Sequence, residues 1–360
     1  MKTDLILGIE TSCDETAAAV VADGCEVRSN IVASQIAKHA PFGGVIPELA
    51  AREHLNNIQE VVSTALDEAG AKLADIGAVA VTNGPGLLPA LLVGLNYAKG
   101  LAAANNLPLI GVNHFLAHIY GTFLEFGTDL LKNDETYPIL ALVVSGGHTS
   151  LVLINSDGGV EIIGGTIDDA AGEAFDKGAK LLSLGYPGGP IVEKIAKEGD
   201  PAKFAFPRPL TGTTGKPLAP EHKFNFSFSG IKTSLLYHCR KYDEECNLEG
   251  QLLYDTVASY QAAIVDVLTM KTVAAVAKFA VKSVVLCGGV ACNTALRNSL
   301  RDALLPTPAE FYVAPPKYCT DNAAMIAGIG YQYFKRSEFT PLDCDVFTRM
   351  SCEESVVFPV

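Results

Sequence analysis

Leu5-Ile6-Leu7-Gly8-Ile9-Glu10, Thr11-Ser12-Cys13-Asp14-Glu15-Thr16, Ala17-Ala18-Ala19-Val20-Val21-Ala22, Asp23-Gly24: an apolar run, a polar turn, a second apolar run and a two-residue turn signal. Runs of this length bounded by turn residues read as strands, and Asp-Gly between them marks a hairpin. Residues 5–10, 17–22 and 25–31 are therefore three successive strands. The same plan returns later in the chain. Residues 139–144 are apolar, Ser145-Gly146-Gly147-His148 is a small polar turn, 149–154 is a strand, and Asp157-Gly158 precedes 160–163. Glu10 to Asp23 is 13 residues and Ser145 to Asp157 is 12, so the chain carries an internal duplication of pattern with little identity between the copies.

Both copies continue as alternating helices and strands. In the first, residues 47–69 have helical periodicity, 78–82 form a strand, and Asn83-Gly84-Pro85-Gly86 leads into another helix. In the second, helices near 171–184, 230–241 and 250–281 lead to a strand at 283–287, and Gly288-Gly289-Val290 opens a helix at about Cys292. A strand, a glycine turn and a helix N-terminus can receive an anion, although such turns also simply join strands to helices. The expected class is α/β, two duplicated lobes with a cleft between them, the turns 11–16 and 145–148 approaching a ligand from opposite sides. A helix at 322–334 is expected to return to the first lobe, with an irregular tail beyond 339.

Composition narrows the function classes. With 360 residues, 49% hydrophobic and 19% charged, the chain has ample core for two domains or lobes. No apolar run reaches the roughly 20 residues that span a bilayer, and Glu10, Asp14 and Glu15 interrupt any export signal. The nine cysteines include no Cys-x-x-Cys pair, which suits a reduced, cytoplasmic protein with buried thiols. A net charge of −13 argues against general nucleic-acid binding. The stretch 201–241 is the exception: Lys203, Arg208, Lys216, Lys223, Lys232, Arg240 and Lys241 face Glu221 alone, a local charge of +6. That is either a polyanion footprint or a solvated basic loop.

Several motifs carry chemistry. His114 and His118 stand at i and i+4 on one helix face, just after the apolar segment 107–112, at the carboxyl end of an expected strand. With Asp321 they would make a two-His-one-carboxylate metal face; alternatively they are an ordinary pair of core histidines. Nothing acidic lies between them, so the H-E-x-x-H metalloprotease pattern is absent. Ser145-Gly146-Gly147-His148-Thr149 can approach a phosphate closely or can be a plain hairpin turn. Asp168 and Asp169 read as helix-capping acids. Asp169, Glu173 and Asp176 make a like-charge stripe that either faces solvent or meets ribose hydroxyls. Tyr186-Pro187-Gly188-Gly189-Pro190 reads as a turn and 225–230 as a short strand. Asn293, in Gly288-Gly289-Val290-Ala291-Cys292-Asn293, stands where its amide and the backbone can cradle an adenine. Cys13 and Cys292 show no adjacent base, which leaves thiol catalysis unsupported.

Taken together, the stretch 8–16, the His114/His118 pair, Ser145 to Thr149, 168–177, Ser227-Phe228-Ser229-Gly230-Ile231-Lys232-Thr233 and Cys319-Thr320-Asp321-Asn322 resemble the tRNA threonylcarbamoyladenosine transferase family, the former glycoprotease family. The likeness runs from about Leu5 to Phe334. It implies an actin/acetate-kinase-like, ribonuclease H-like fold with an N-terminal lobe at 1–115, a C-terminal lobe at 116–324 carrying the basic insertion 201–241, and a helix at 325–347 packing back on the first. It implies transfer of threonylcarbamoyl from threonylcarbamoyl-adenylate to N6 of the adenosine beside the anticodon, in tRNAs reading codons that start with A. His114, His118 and Asp321 then look like ligands of one divalent metal per subunit, iron first and zinc as the other candidate. Val143, Val144, Ser145, Gly146, Gly147, Asp176, Gly189 and Asn293 look like donor-binding positions. The implied partners are tRNA, a smaller paralogous subunit and a small ATPase, with no membrane.

Two positions depart from the family pattern. Leu116-Ala117 replaces the Glu-Gly common between the histidines of bacterial members, and Cys292 stands where alanine is usual. Neither removes a ligand. The rival reading, a kinase or ATPase of the same fold, would bind ATP but has no need of His114 and His118; a non-catalytic partner subunit would not keep the pair either.

Overall fold

The computed structural model describes residues 3–212, 218–349 and 358, and in it each copy of the repeat builds a five-stranded sheet. The first sheet contains β1 (Leu5–Glu10), β2 (Glu15–Ala22), β3 (Glu26–Ser34), β4 (Ile76–Gly84) and β5 (Leu109–Asn113), in the order β3-β2-β1-β4-β5. The second contains β6 (Ile139–Val144), β7 (Thr149–Ile154), β8 (Val160–Gly165), β9 (Ser283–Cys287) and β10 (Glu310–Val313), in the order β8-β7-β6-β9-β10. In both, three antiparallel strands come first and two parallel strands are added beside the first of them. The duplication read from the pattern is thus a duplication of topology.

The hairpins follow their turn residues. Asp23 (φ 48°) and Gly24 (φ 79°) are both left-handed, the twist that a tight hairpin needs, and Leu5 pairs with Ala22 across it. The second copy has a longer loop, in which the Gly158 and Asn155 amides bond to the Asn155 and Gly159 carbonyls. Central strands covered on both faces read as unbroken apolar runs, as 139–144 does.

In the first unit, α1 (Pro47–Glu68) and α2 (Leu88–Asn105) cover one face of the sheet, burying Leu7, Ile9, Ile58, Val62, Val79 and Leu95 together. Strand alternation sends Ile6, Gly8 and Glu10 to the other face, where α3 (His114–Phe126) and α9 (Ala323–Lys335) pack. Gly8 sets how close α9 comes: a Cβ there would lie 2.4 Å from the Ala323 carbonyl and 2.7 Å from the Ala327 amide nitrogen. The second unit carries α4 (Ala171–Leu181), α5 (Gly188–Ala196), α6 (Ser229–Cys239), α7 (Gly250–Phe279) and α8 (Thr294–Leu304).

Some expectations shift. The compact units are Met1–Asn133 with Ala314–Val360, and Asp134–Val313, so α3 belongs to the first unit and does not open the second at 116. The reason is packing: α3 buries Leu116, Ala117, Tyr120 and Phe123, and it lies against α9. The expected helix at 325–347 ends at Lys335. Beyond it the Thr340 amide donates to Leu109, Thr340 Oγ1 accepts from the Gly111 amide at 2.7 Å, and the Phe347 amide donates to Asn83, so the tail covers the edge strand β5. The turn expected at 186–190 is in fact the start of α5; Pro190 is tolerated there because the first turn of a helix leaves its N–H groups unpaired. No helix among the described residues is long and apolar enough to cross a membrane.

Gly8→Ala forces Ala323 and Ala327 away from β1. An overpacked contact of this kind costs about 1–3 kcal/mol. Urea unfolding should show that loss with an unchanged m-value; an unaltered midpoint would show that α9 does not depend on this approach.

Candidate metal centre and donor site

The metal-type cluster lies wholly in the first unit. Asn113 caps α3, its Oδ1 accepting from the Phe115 and Leu116 amides at 2.9 and 3.2 Å, and this fixes His114 at the first helical position. One turn on, His118 stacks its ring edge-on to His114, with centroids 4.6 Å apart. Asn322 caps α9 through the Met325 amide and bonds back to the Tyr318 and Thr320 carbonyls, which holds Asp321 in place. His114 Nε2 and His118 Nε2 are 3.2 Å apart, and Asp321 Oδ1 is 3.5 and 3.0 Å from them. Ligands about 2.1 Å from one ion at tetrahedral or octahedral angles stand roughly 3.0–3.4 Å from each other. The three atoms fit that spacing, and the cluster can hold a divalent metal ion.

Behind the histidines sits Glu10, fully buried at the end of β1. It accepts from the Ser12 amide and Thr82 Oγ1, and from His114 Nδ1 at 3.0 Å. Burial works against the charged carboxylate, but the charge and hydrogen bond of His114 together with the Thr82 hydroxyl bring Glu10 below its ordinary pKa. Burial likewise opposes the imidazolium of His114, yet Glu10 and Asp321 raise it to about 9. A carboxylate on Nδ1 places the Nε2 lone pair toward the ligand position and strengthens it as a donor. His118 Nδ1, also buried, has no hydrogen-bond partner among the described residues, where Nε2 is its one engaged nitrogen.

The second unit gathers the other expected positions into a ring of segments at the carboxyl ends of β6 and β9. The Gly172 amide donates to the Ser145 carbonyl at 3.2 Å, joining α4 to the turn after Val143 and Val144. Asp176 on α4 accepts from the Gly188 amide at 2.7 Å, which joins α5. Glu193 on α5 accepts from the Thr294 amide at 3.1 Å, which joins α8. Gly288 (φ 90°) closes the ring, since a Cβ there would lie 2.4 Å from the Val144 carbonyl. Gly146, Gly147 and Gly189 are different: a Cβ on any of them would meet nothing within 4 Å, and none has a left-handed φ. The fold does not require glycine at these three places, and their backbone is open to close approach. Asn293 caps α8 through the Leu296 amide and donates to Gln261 at 2.8 Å, so its amide is engaged on both sides.

The family model described as tRNA N6-adenosine threonylcarbamoyltransferase matches residues 26–328. The chain belongs to this family. It is 48% identical to the tRNA N6-adenosine threonylcarbamoyltransferase of Geotalea uraniireducens (strain Rf4), over 95% of this chain and 94% of that protein. The corresponding protein of Moorella thermoacetica is 49% identical, over 94% of each. Among solved structures, component A of the (R)-2-hydroxyglutaryl-CoA dehydratase of Acidaminococcus fermentans superposes with a TM-score of 0.50 at 16% identity, covering 92% of this chain and 99% of that one. T. kodakarensis HypF gives 0.60 at 13% identity, covering 95% of this chain and 49% of that one. At such identities the likeness is one of fold, and the fold is the duplicated actin/acetate-kinase-like one. As a family member the chain transfers a threonylcarbamoyl group to N6 of an adenosine in tRNA; no observation favours a kinase or ATPase.

Sequence reading missed some of this transferase's supporting residues. Glu10 was visible only as the polar end of an apolar run. Asp168 is not a helix cap: Ala170 holds that position, and Asp168 instead clasps the segment before α6. It accepts from Ser227 Oγ at 2.6 Å, Ser229 Oγ at 2.7 Å and the Phe228 and Ser229 amides at 2.8 and 3.2 Å. The expected strand at 225–230 is only a bridge from Phe226 to Thr166. Asp169 and Glu173 both meet Lys177, at 2.7 and 2.8 Å, which compensates the acidic stripe.

Partial burial pushes the Asp168 carboxyl up, and the Ser227 and Ser229 hydroxyls with the two amides bring it below 3.8 on balance. A depressed native pKa contributes stability above the unfolded value and loses it as pH falls through the native one. Asp168→Asn should therefore be less stable than the wild type at neutral pH, with the gap narrowing below about pH 4. A pH-independent gap in urea titrations would contradict the clasp.

Proposed function

We propose that the donor is threonylcarbamoyl-adenylate and the acceptor the adenosine beside the anticodon, in tRNAs reading codons that start with A. The observation that carries the metal part of this reading is the convergence of His114 Nε2, His118 Nε2 and Asp321 Oδ1 in front of the buried Glu10. A divalent ion bound there, iron first and zinc as the other candidate, supplies a Lewis acid for anionic oxygen. Donor positions are Val143, Val144, Ser145, Gly146, Gly147, Asp176, Gly189 and Asn293. The open backbone at Gly146, Gly147 and Gly189 supports them, and Asn293 contributes by fixing the 288–293 turn.

The donor is a mixed carbamic–phosphoric anhydride, already activated, so no covalent enzyme intermediate is needed. The adenosine N6 lone pair attacks the carbamoyl carbon, the bond from that carbon to the phosphate oxygen breaks, and its electron pair leaves with AMP. The N6 proton is lost to solvent. What the chain supplies is positioning and donors for developing charge: the backbone N–H groups of Gly146 and Gly147 and the N-terminus of α5. Glu10 holds the His114 ring by its Nδ1 proton. The cellular setting is the cytoplasm, with tRNA, the smaller paralogous subunit and the small ATPase as partners.

Threonylcarbamoyladenosine in total tRNA, measured by nucleoside mass spectrometry in cells depleted of this protein, tests the reading. The nucleoside should fall and be restored by wild type but not by His114→Ala/His118→Ala. A level that never changes would overturn the function, and rescue by the double variant would overturn the metal site.

A further inference from the structure

The basic stretch 201–241 does not present one surface. Arg208 is bound to Asp266 through Nε and Nη2 at 3.0 and 2.7 Å, Lys232 pairs with Asp169 at 3.3 Å, and Lys223 lies over the Phe224 ring. Lys216 lies outside the described residues. Lys203, Arg240 and Lys241 are exposed, and no described residue forms an ion pair with them. Of these cations, Lys241 stands in the wall of a cavity of about 530 Å³ whose walls also include Phe204, Phe206, Tyr237, His238 and Tyr242.

Its walls are aromatic. His238 lies with its ring centroid 4.4 Å from Phe204, 5.4 Å from Phe206 and 5.3 Å from Tyr242. Burial and the neighbouring Lys241 hold His238 below its ordinary pKa, and its Nε2 meets Thr256 Oγ1 at 3.1 Å, so it serves as a neutral ring. Tyr237 and Tyr242 are 63% and 54% exposed, large aromatic faces left in water. Lys241 and the hydroxyls of Thr233 and Ser234 complete the lining. The acidic run Asp243-Glu244-Glu245 follows Tyr242 and limits the basic rim on that side.

Aromatic faces beside an unpaired cation are what a single-stranded nucleotide requires: a surface for the base to stack on and a charge for its phosphate. The volume falls within the roughly 300–1,000 Å³ of small-ligand sites. We infer that this pocket receives an unpaired nucleotide of the tRNA substrate, the base stacking on Tyr237 and Tyr242 and the adjoining phosphate meeting Lys241. The occupant follows from charge: on a chain of net −13, the aromatic pocket carries the cation Lys241, which forms no ion pair among the described residues. The inference rests on the tRNA reading above and adds to it a second point of contact.

Binding of the full-length protein to substrate tRNA, followed by fluorescence anisotropy across a salt series, provides the test. Tyr237→Ala and Tyr242→Ala should each weaken binding about ten-fold, while Tyr237→Phe and Tyr242→Phe, which keep the ring, stay within about two-fold of wild type. The alanine variants should keep the wild-type salt slope, because stacking releases no counterions. Lys241→Glu should flatten the slope by about 0.7 for the lost phosphate contact. A merely structural role would lower the melting midpoint and leave this split between affinity and slope unexplained. If the alanine variants bind tRNA as wild type does, while wild type restores the modified nucleoside in cells, the pocket is overturned and the function stands. If wild type neither binds tRNA nor restores the nucleoside, both fall.

Discussion

A carboxylate with no access to water sits at the end of the first strand. Leaving Glu10 charged and unpaired would cost several kcal/mol. The chain answers with one amide, one hydroxyl and the imidazole of His114, drawn from three separate segments. That answer does more than neutralise a charge. It fixes which nitrogen of His114 carries the proton and which faces outward, so the helix beginning at His114 presents a nitrogen that can ligate a metal ion. The close approach of α9, permitted by Gly8, then brings Asp321 to the same point.

The second unit uses the same topology for different chemistry. Where β1 ends in a buried acid, β6 ends in Val144 and an open glycine turn, and the neighbouring helices are tied to that turn by amide hydrogen bonds. Some glycines here are demanded by the fold: Gly172, Gly188 and Gly288 each have backbone within 3 Å of where a Cβ would stand. Gly146, Gly147 and Gly189 are not, since a Cβ on any of them would meet nothing within 4 Å.

Much of this was legible because it is local. Buried central strands read as apolar runs, Asp23-Gly24 carries its own left-handed turn, and His114 and His118 share a helix face at any spacing of four. What was hidden depends on residues far apart in the chain. Glu10 finds His114 across 104 positions, and Arg208 finds Asp266 across 58, so neither the buried pair nor the loss of a free cation shows in sequence. Helix α5 was hidden for another reason: Gly188-Gly189-Pro190 has turn composition, and only its packing on Asp176 and α7 makes it helical. The unit boundary was misplaced because α3 has a strong apolar face that would suit either unit, and contact with α9 decides it.

The most direct test of the Glu10-organised metal centre is the metal content and affinity of Glu10→Gln beside wild type and His118→Ala, by anaerobic equilibrium dialysis against iron(II) or zinc with elemental analysis and chelator competition. The account predicts one ion per wild-type chain, none retained by His118→Ala, and an affinity in Glu10→Gln lowered about 10- to 100-fold at unchanged stoichiometry. Equal affinity in Glu10→Gln and wild type would show that the buried acid does not organise the site, and metal retained in full by His118→Ala would show that the ion binds elsewhere.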